Sequence, residues 1–326
     1  MRDLYNLHKF YSNSKSSKQL NNRRKSFGYQ VLGFGSGVVA EEAGGDRAIF
    51  AYGYNGGQLS MSNLVTNLGV VGSDVTGVGT ARLCAGASYG GNKAIFAYGD
   101  AGYAASMSNL VSSSGVIGSD VTGVGTARYL PGAAEYGGDK AIFAYGLSDA
   151  GEVSMSNLVS NSGVVATDVT GVGTARRGQD GGTHYGTDKA IFAYGYAGGP
   201  VSMSNLVTNV GVIGNDVTGV GTARYYVAAA GYGTDKAIYG YGDDNSSVTA
   251  ITNLVSNSGV IATDTSGVGT ARSYVGAARY GEDKAIFAFG HSASYQNVKN
   301  LVSNSGVVAS DATGVGTARR TAAAGY

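Results

Sequence analysis

Apolar and small polar residues alternate with a period of two along most of the chain, and the period sorts them onto opposite faces of short strands. In Lys189-Ala190-Ile191-Phe192-Ala193-Tyr194-Gly195, Phe192 and Tyr194 share a face with Ala190, while Ile191 and Ala193 take the other. In Val201-Ser202-Met203-Ser204-Asn205-Leu206-Val207, Val201, Met203 and Val207 alternate with small polar residues. Clusters of Gly, Asn, Ser and Asp separate these runs and mark compact turns.

The alternation is periodic on a second, longer scale. Gly-Val-Gly-Thr-Ala-Arg ends at Arg82, Arg128, Arg176, Arg224, Arg272 and Arg319, with successive spacings of 46, 48, 48, 48 and 47 residues. A Lys/Arg-Ala-Ile-aromatic run starts at Arg47, Lys93, Lys140, Lys189, Lys236 and Lys284, and Asn-Leu-Val starts at Asn63, Asn109, Asn157, Asn205, Asn253 and Asn300. Six copies in constant order define a repeat architecture. Each unit reads as four strands; in the fifth these are A (Tyr226 to Gly231), B (Lys236 to Gly242), C (Val248 to Val255) and D (Gly259 to Thr265).

Four antiparallel strands at this spacing predict an all-β, six-bladed β-propeller, in which ring closure removes exposed sheet edges. The run from Arg319 to Tyr326 has the character of an A strand and stops where a B strand would begin, whereas the first B strand, at Arg47, lacks a good A strand before it. The C-terminal strand is therefore expected to complete the first blade. Gly37 to Gly44 is a degenerate rival, but Glu41-Glu42 suits an inner strand badly.

The unit resembles a kelch repeat. In residues 271–290, a Thr-Ala-Arg segment leads through the small-residue run Gly276-Ala277-Ala278 to a second strand ending in Phe289-Gly290. The resemblance covers residues 46–326, and it departs from the family in having Tyr-Gly or Phe-Gly for a double glycine and no Trp. The wording of the units is also similar to repetitive kelch-like proteins of bacteriophages. That likeness implies a tail or capsid appendage, a virion location and a non-enzymatic receptor-binding role. The alternative is a cellular kelch-type scaffold for protein partners, cytoplasmic or extracellular.

Composition narrows the choice. Gly is abundant at 55 residues, Pro is scarce at 2, and Tyr, at 23, is the main aromatic. With 43% hydrophobic residues in regular alternation, the chain can bury a core. A single cysteine, Cys84, leaves no intramolecular disulfide. No apolar run is long enough to span a membrane. Residues 1–27 hold seven basic residues (Arg2, Lys9, Lys15, Lys18, Arg23, Arg24 and Lys25) against one acid, Asp3. This arm is read as a docking segment for other virion proteins, since it lacks base-stacking aromatics beyond Tyr5, Phe10 and Tyr11. Residues 28–45 follow as a linker or degenerate first strand. The order of Arg23-Arg24-Lys25 and the stretch 31–40 also has the layout of an export signal, but its glycines speak against one.

Catalytic sets are not assembled by the sequence, and no cofactor or metal is expected. The histidines are His8, His184 and His291. They are too few for a copper-radical oxidase, and no aspartate-box pattern of a sialidase accompanies them. Gly-Val-Gly-Thr lacks the Lys-Ser/Thr ending of a phosphate loop. A glycosidase needs two placed carboxylates, for which only Asp180, Asp243 and Asp244 come into view. The repeated Asp74, Asp120, Asp168, Asp216, Asp264 and Asp311 stand eight residues before each marker arginine and read as structural pairing devices.

Differences between the copies point elsewhere. The B–C loops and the segments after each marker arginine vary, and in a four-stranded blade both lie on one face. The candidate binding residues there are Tyr54, Asp100, Tyr103, Tyr129, Asp149, Asp180, His184, Tyr196, Tyr225, Tyr226, Asp243, Asp244, Asn245, Tyr274, His291 and Tyr295. Tyr, Asp, Asn and His suit contacts with sugars or polar protein surfaces, so a host cell-surface glycan or protein is the expected partner.

Overall fold

The structure, a computed structural model, describes residues 46–178 and 181–326. The expectations for the arm 1–27, for the segment 28–45 and for Asp180 lie outside the described residues.

Among the described residues the chain is all-β, with no helix. The strands run β1 (Ala48–Tyr54), β2 (Gln58–Val65), β3 (Leu83–Tyr89), β4 (Lys93–Asp100), β5 (Ala104–Val111), β6 (Gly132–Tyr136), β7 (Lys140–Ala144), β8 (Leu147–Ser148), β9 (Gly151–Glu152) and β10 (Ser156–Val159). They continue as β11 (Gly182–Tyr185), β12 (Lys189–Tyr196), β13 (Pro200–Val207), β14 (Ala228–Tyr232), β15 (Lys236–Gly240), β16 (Thr252–Val255), β17 (Gly276–Tyr280), β18 (Lys284–Ala288), β19 (Lys299–Val302) and β20 (Arg320–Gly325). Six three-stranded antiparallel sheets result: β20-β1-β2, β3-β4-β5, β6-β7-β10, β11-β12-β13, β14-β15-β16 and β17-β18-β19, with β8-β9 as a small hairpin. In the first sheet the C-terminal β20 pairs with β1, Ala48 opposite Gly325 and Tyr54 opposite Arg320.

The sheets have three strands where the repeat predicts four. The D segment touches its neighbour only at isolated bridges, such as Thr252 with Thr265 and Val255 with Ile261. A buried asparagine accounts for the gap. Asn253 Nδ2 donates to the Ala262 carbonyl at 3.0 Å and to Asp264 Oδ1 at 2.9 Å, so a side chain replaces main-chain donors between the two bridges. Strand B is also shorter than expected in this sheet. After Gly240 the backbone turns left-handed at Tyr241 (φ 62°) and stays at positive φ at Gly242 (109°); the equivalent Tyr194 and Gly195 lie inside β12, where pairing resumes after a register shift.

The core lies between sheets. The middle strands are covered on both faces, and Ala48 to Tyr52 are fully buried. Each apolar cluster draws on two adjacent sheets; one joins Tyr98 and Ile95 to Phe143 and Val159 of the next. The first sheet packs on the second through Tyr52 against Phe96, and on the last through Phe50 against Phe289. The innermost strands touch in the order β20, β3, β6, β11, β14, β17 and back to β20. Their alanines and glycines permit this convergence. A Cβ on Gly132 would stand 2.9 Å from the Phe192 ring of the neighbouring sheet.

The marker arginine joins each sheet to the one before it. Arg272 is fully buried; its Nε donates to the Phe289 carbonyl (2.8 Å), Nη1 to the Thr270 carbonyl (2.8 Å) and Nη2 to Asn300 Oδ1 (2.7 Å). The guanidinium lies 4.2 Å over the ring of Tyr241, whose hydroxyl donates to the Val268 carbonyl. Asp311 accepts from the backbone and hydroxyl of Thr270. Burial alone would raise the Asp311 carboxyl, but bonds from Thr270 and Asn300 together outweigh it and hold it below the ordinary value. Arg319 repeats the arrangement at the seam between the chain's beginning and end. It donates to Tyr52 O and Asn63 Oδ1 and lies 4.3 Å over Phe289, and Thr317 is bound by Asp74.

Candidate functional site

The sheets have two unlike ends, about 20 Å apart at roughly 3.3 Å per residue along six residue steps. At one end lie the A–B turns, where a turn amide donates to the next turn's aspartate carbonyl. These bonds run from Gly90 to Asp139, Gly137 to Asp188, Gly186 to Asp235, Gly233 to Asp283 and Gly281 to Asp46, all at 2.7–2.8 Å. Asparagines of the C–D turns brace the same aspartates, as Asn161 does Asp139. Asp46, the first described residue, and Tyr326 both lie at this end, joined to it by the Gly281 bond and by the Arg47–Tyr326 backbone pair.

At the other end the first and second strands open through equivalent backbone pairs: Tyr54 with Arg320, Leu83 with Asp100, Tyr129 with Leu147, Arg177 with Tyr196, Tyr225 with Asp243, and Ser273 with His291. The first three of these pairs line a mouth with a cavity of about 810 Å³. Five of the candidate residues line it: Tyr54, Asp100, Tyr129, Tyr274 and Tyr295. Four more adjoin them through ring contacts. Tyr226 stacks on Tyr274 with centroids 3.7 Å apart, Tyr225 stands 4.4 Å from Tyr226, Tyr196 stands 5.3 Å from Tyr225, and His291 meets Tyr295 edge-on at 5.0 Å. Burial and the neighbouring Tyr226 hold the Tyr274 phenol firmly protonated. Burial and the Arg320 charge keep His291 below its ordinary value.

The remaining loop candidates serve their own turns. Asp100 accepts from Gly102 N, Asp243 from Asn245 N, and Asp244 from Ser246 N and Ser247 N. Asn245 sits at φ 75°. Asp149 is exposed in the turn between β8 and β9, and Tyr103 is exposed at its loop tip.

His184 does not belong with this group. It occupies β11 near the A–B turn, in a narrow passage of about 50 Å³ shared with Glu135 and Arg279. The sequence pattern fails there because the loop preceding β11 varies, whereas His184 itself points inward over Gly231, whose space its ring fills. Burial, with a smaller push from Arg279, lowers His184 to about 4, and its Nε2 has no hydrogen-bond partner. Burial raises Glu135 to about 7 against the opposing pull of Arg279. One signal marks this layer. The residues preceding the inner-strand tyrosines are Ser88, Glu135, His184, Gly231, Arg279 and Gly325, so charge appears where other copies carry Ser or Gly.

Arg320 is the cavity residue that the sequence pattern does not single out, because it reads as part of the closing strand. It lines the mouth, with its guanidinium 4.1 Å from the Tyr274 ring centroid and 5.9 Å from that of Tyr54. Its signal was the variation just after the marker arginine: Leu83, Tyr129, Arg177, Tyr225, Ser273 and Arg320.

Among the described residues no three His, Cys, Asp or Glu side chains gather as a metal site. The repeated aspartates are instead occupied by threonine and asparagine donors, as Asp120 is by Thr80 and Asn109. Among the described residues no helix is long and apolar enough to cross a membrane. No protein-family model matches the chain, and no curated protein matches it.

Proposed function

We propose that this chain is a six-bladed β-propeller that binds a ligand without transforming it, and that the tyrosine-lined mouth is its binding surface. The cyclic order of inner-strand contacts and the two-sheet composition of every apolar cluster support the propeller reading. The observation that carries the binding role is the convergence of Tyr54, Tyr129, Tyr274 and Tyr295, from three parts of the repeat array, onto one cavity. Rings held by a rigid scaffold offer apolar faces to sugar C–H groups and hydroxyls to sugar hydroxyls, at little ordering cost.

The ligand class is a host cell-surface glycan, and the setting is a virion appendage, a reading that rests on the likeness of the repeats to phage proteins. In this reading the basic N-terminal arm docks on other virion proteins and the mouth meets the host surface. A glycan array probed with the full chain tests the binding role. The triple substitution Tyr54→Ala, Tyr129→Ala and Tyr295→Ala should abolish the wild-type signal while the melting transition persists. Unchanged binding by the variant, or no glycan bound by the wild type, overturns the reading.

A further inference from the structure

Two arginines follow marker arginines, and their surroundings differ. Arg177 has an acidic neighbour, Glu152, at 3.8 Å, and lies over Tyr196. Arg320 rests on Tyr274, and no acidic side chain among the described residues pairs with it; Nε has no hydrogen-bond partner in either arginine. Arg320 is thus an uncompensated cation at the wall of an aromatic cavity. Its planar fork is fixed by stacking, and its remaining N–H donors are oriented before any ligand arrives. Asp100 and Gln58 line the same cavity. One carboxylate oxygen of Asp100 is committed to Gly102 N, which leaves the other as an acceptor.

We infer that the mouth selects an acidic sugar, with Arg320 taking the sugar carboxylate in a forked pair of hydrogen bonds. The inference rests on the mouth being a glycan site. A pyranose bearing a carboxylate matches all three kinds of group present. Its ring faces meet tyrosines, its hydroxyls donate to Asp100, and its carboxylate accepts from Arg320. A neutral sugar leaves the arginine without a partner. An acidic peptide uses the arginine but has no set of vicinal hydroxyls for Asp100 and Gln58.

The test uses the full chain and immobilised sialylated and uronate-containing oligosaccharides, each beside its methyl ester and a neutral analogue. The free acids should bind at least about ten-fold more tightly than their esters, as the loss of a charge-assisted pair implies. Arg320→Gln should remove that preference, and Arg320→Lys should restore part of it, since charge returns without the fork. Melting curves of both variants check that β20 still closes the first sheet. Equal binding of acids, esters and neutral sugars overturns the inference while leaving the glycan reading intact. So does a preference that survives Arg320→Gln in a folded variant. Binding of an acidic peptide with no binding of any sugar overturns both.

Discussion

The two ends of the sheets are built from the same repeat, yet one is nearly invariant among the copies and the other differs at almost every position. At the turn end, side-chain bonds are added to the backbone bonds between turns. Asp139 and its counterparts accept at their carbonyls from the preceding turn's amide and at their carboxylates from asparagines, and the side-chain bonds constrain residue identity. At the mouth the connections are backbone pairs, such as Tyr225 with Asp243 and Ser273 with His291, which form whatever side chain is attached. Variation is tolerated there because the ladder does not depend on it. Similar joints can therefore present varied side chains at this end.

The comparison predicts unequal consequences for substitutions at the two kinds of position. The largest effect should come from deleting residues 320–326, which removes β20 from β1 and from its neighbours β3 and β17. The cooperative thermal transition should be lost, and a truncated chain that melts like the full one would show that closure is dispensable. Next, Arg272→Ala strips three hydrogen bonds from a fully buried site and leaves Asn300 Oδ1 and the Phe289 carbonyl without their donor. Urea unfolding should register a loss of about 3–5 kcal/mol, and a loss below about 1 kcal/mol would remove the joint from the account.

Acid should act on the joints. Asp74, Asp120, Asp168, Asp216, Asp264 and Asp311 all sit below the ordinary 3.8 in the folded chain. Their contribution is complete above that value and is lost as pH falls through the lower folded-state values. Substituting Asp264 by Asn should flatten the acid limb of a stability-against-pH curve, and an unchanged limb would exclude its part in it.

Glu135 and His184 run in opposite directions. Glu135, at about 7 when folded against an ordinary 4.5, opposes folding as pH rises from 4.5 through 7. His184, at about 4 against 6.5, opposes folding as pH falls from 6.5 toward 4. Glu135→Gln should thus raise the melting temperature at pH 8 and leave it unchanged at pH 4, a pattern that differential scanning calorimetry can check. The smallest effect belongs to Tyr103→Ala at an exposed loop tip, within about 0.5 kcal/mol of wild type in urea. A larger loss there would mean that the mouth loops carry structural weight after all.

Much of the architecture was legible in residues alone. Period-two alternation locates the A, B and C strands, and the orphaned run at 320–326 identifies the partner that β1 lacks. Asn253 was visible only as part of a motif. Nothing in its neighbourhood says that its amide would enter the ladder and reduce the expected fourth strand to bridges. His184 was assigned to the wrong end for a similar reason, since inward and outward positions of β11 differ only in which neighbouring strand lies opposite. Arg320 was hidden by its membership of a strand, and its exposure to the mouth depends on Tyr54 and Tyr274 from two other parts of the chain.

The amino-acid sequence by itself determined the repeat, its strand periodicity and the positions where copies may differ, because those follow from local alternation and turn chemistry. Tertiary structure alone decided which variable side chains meet in one cavity, which arginine stands without an acid, and which charges share the narrow passage. These depend on residues brought together from sheets tens or hundreds of positions apart, as the Arg319–Asn63 and Arg320–Tyr54 contacts illustrate. Distance across a folded surface is set by packing between sheets, and no alternation within one strand encodes it.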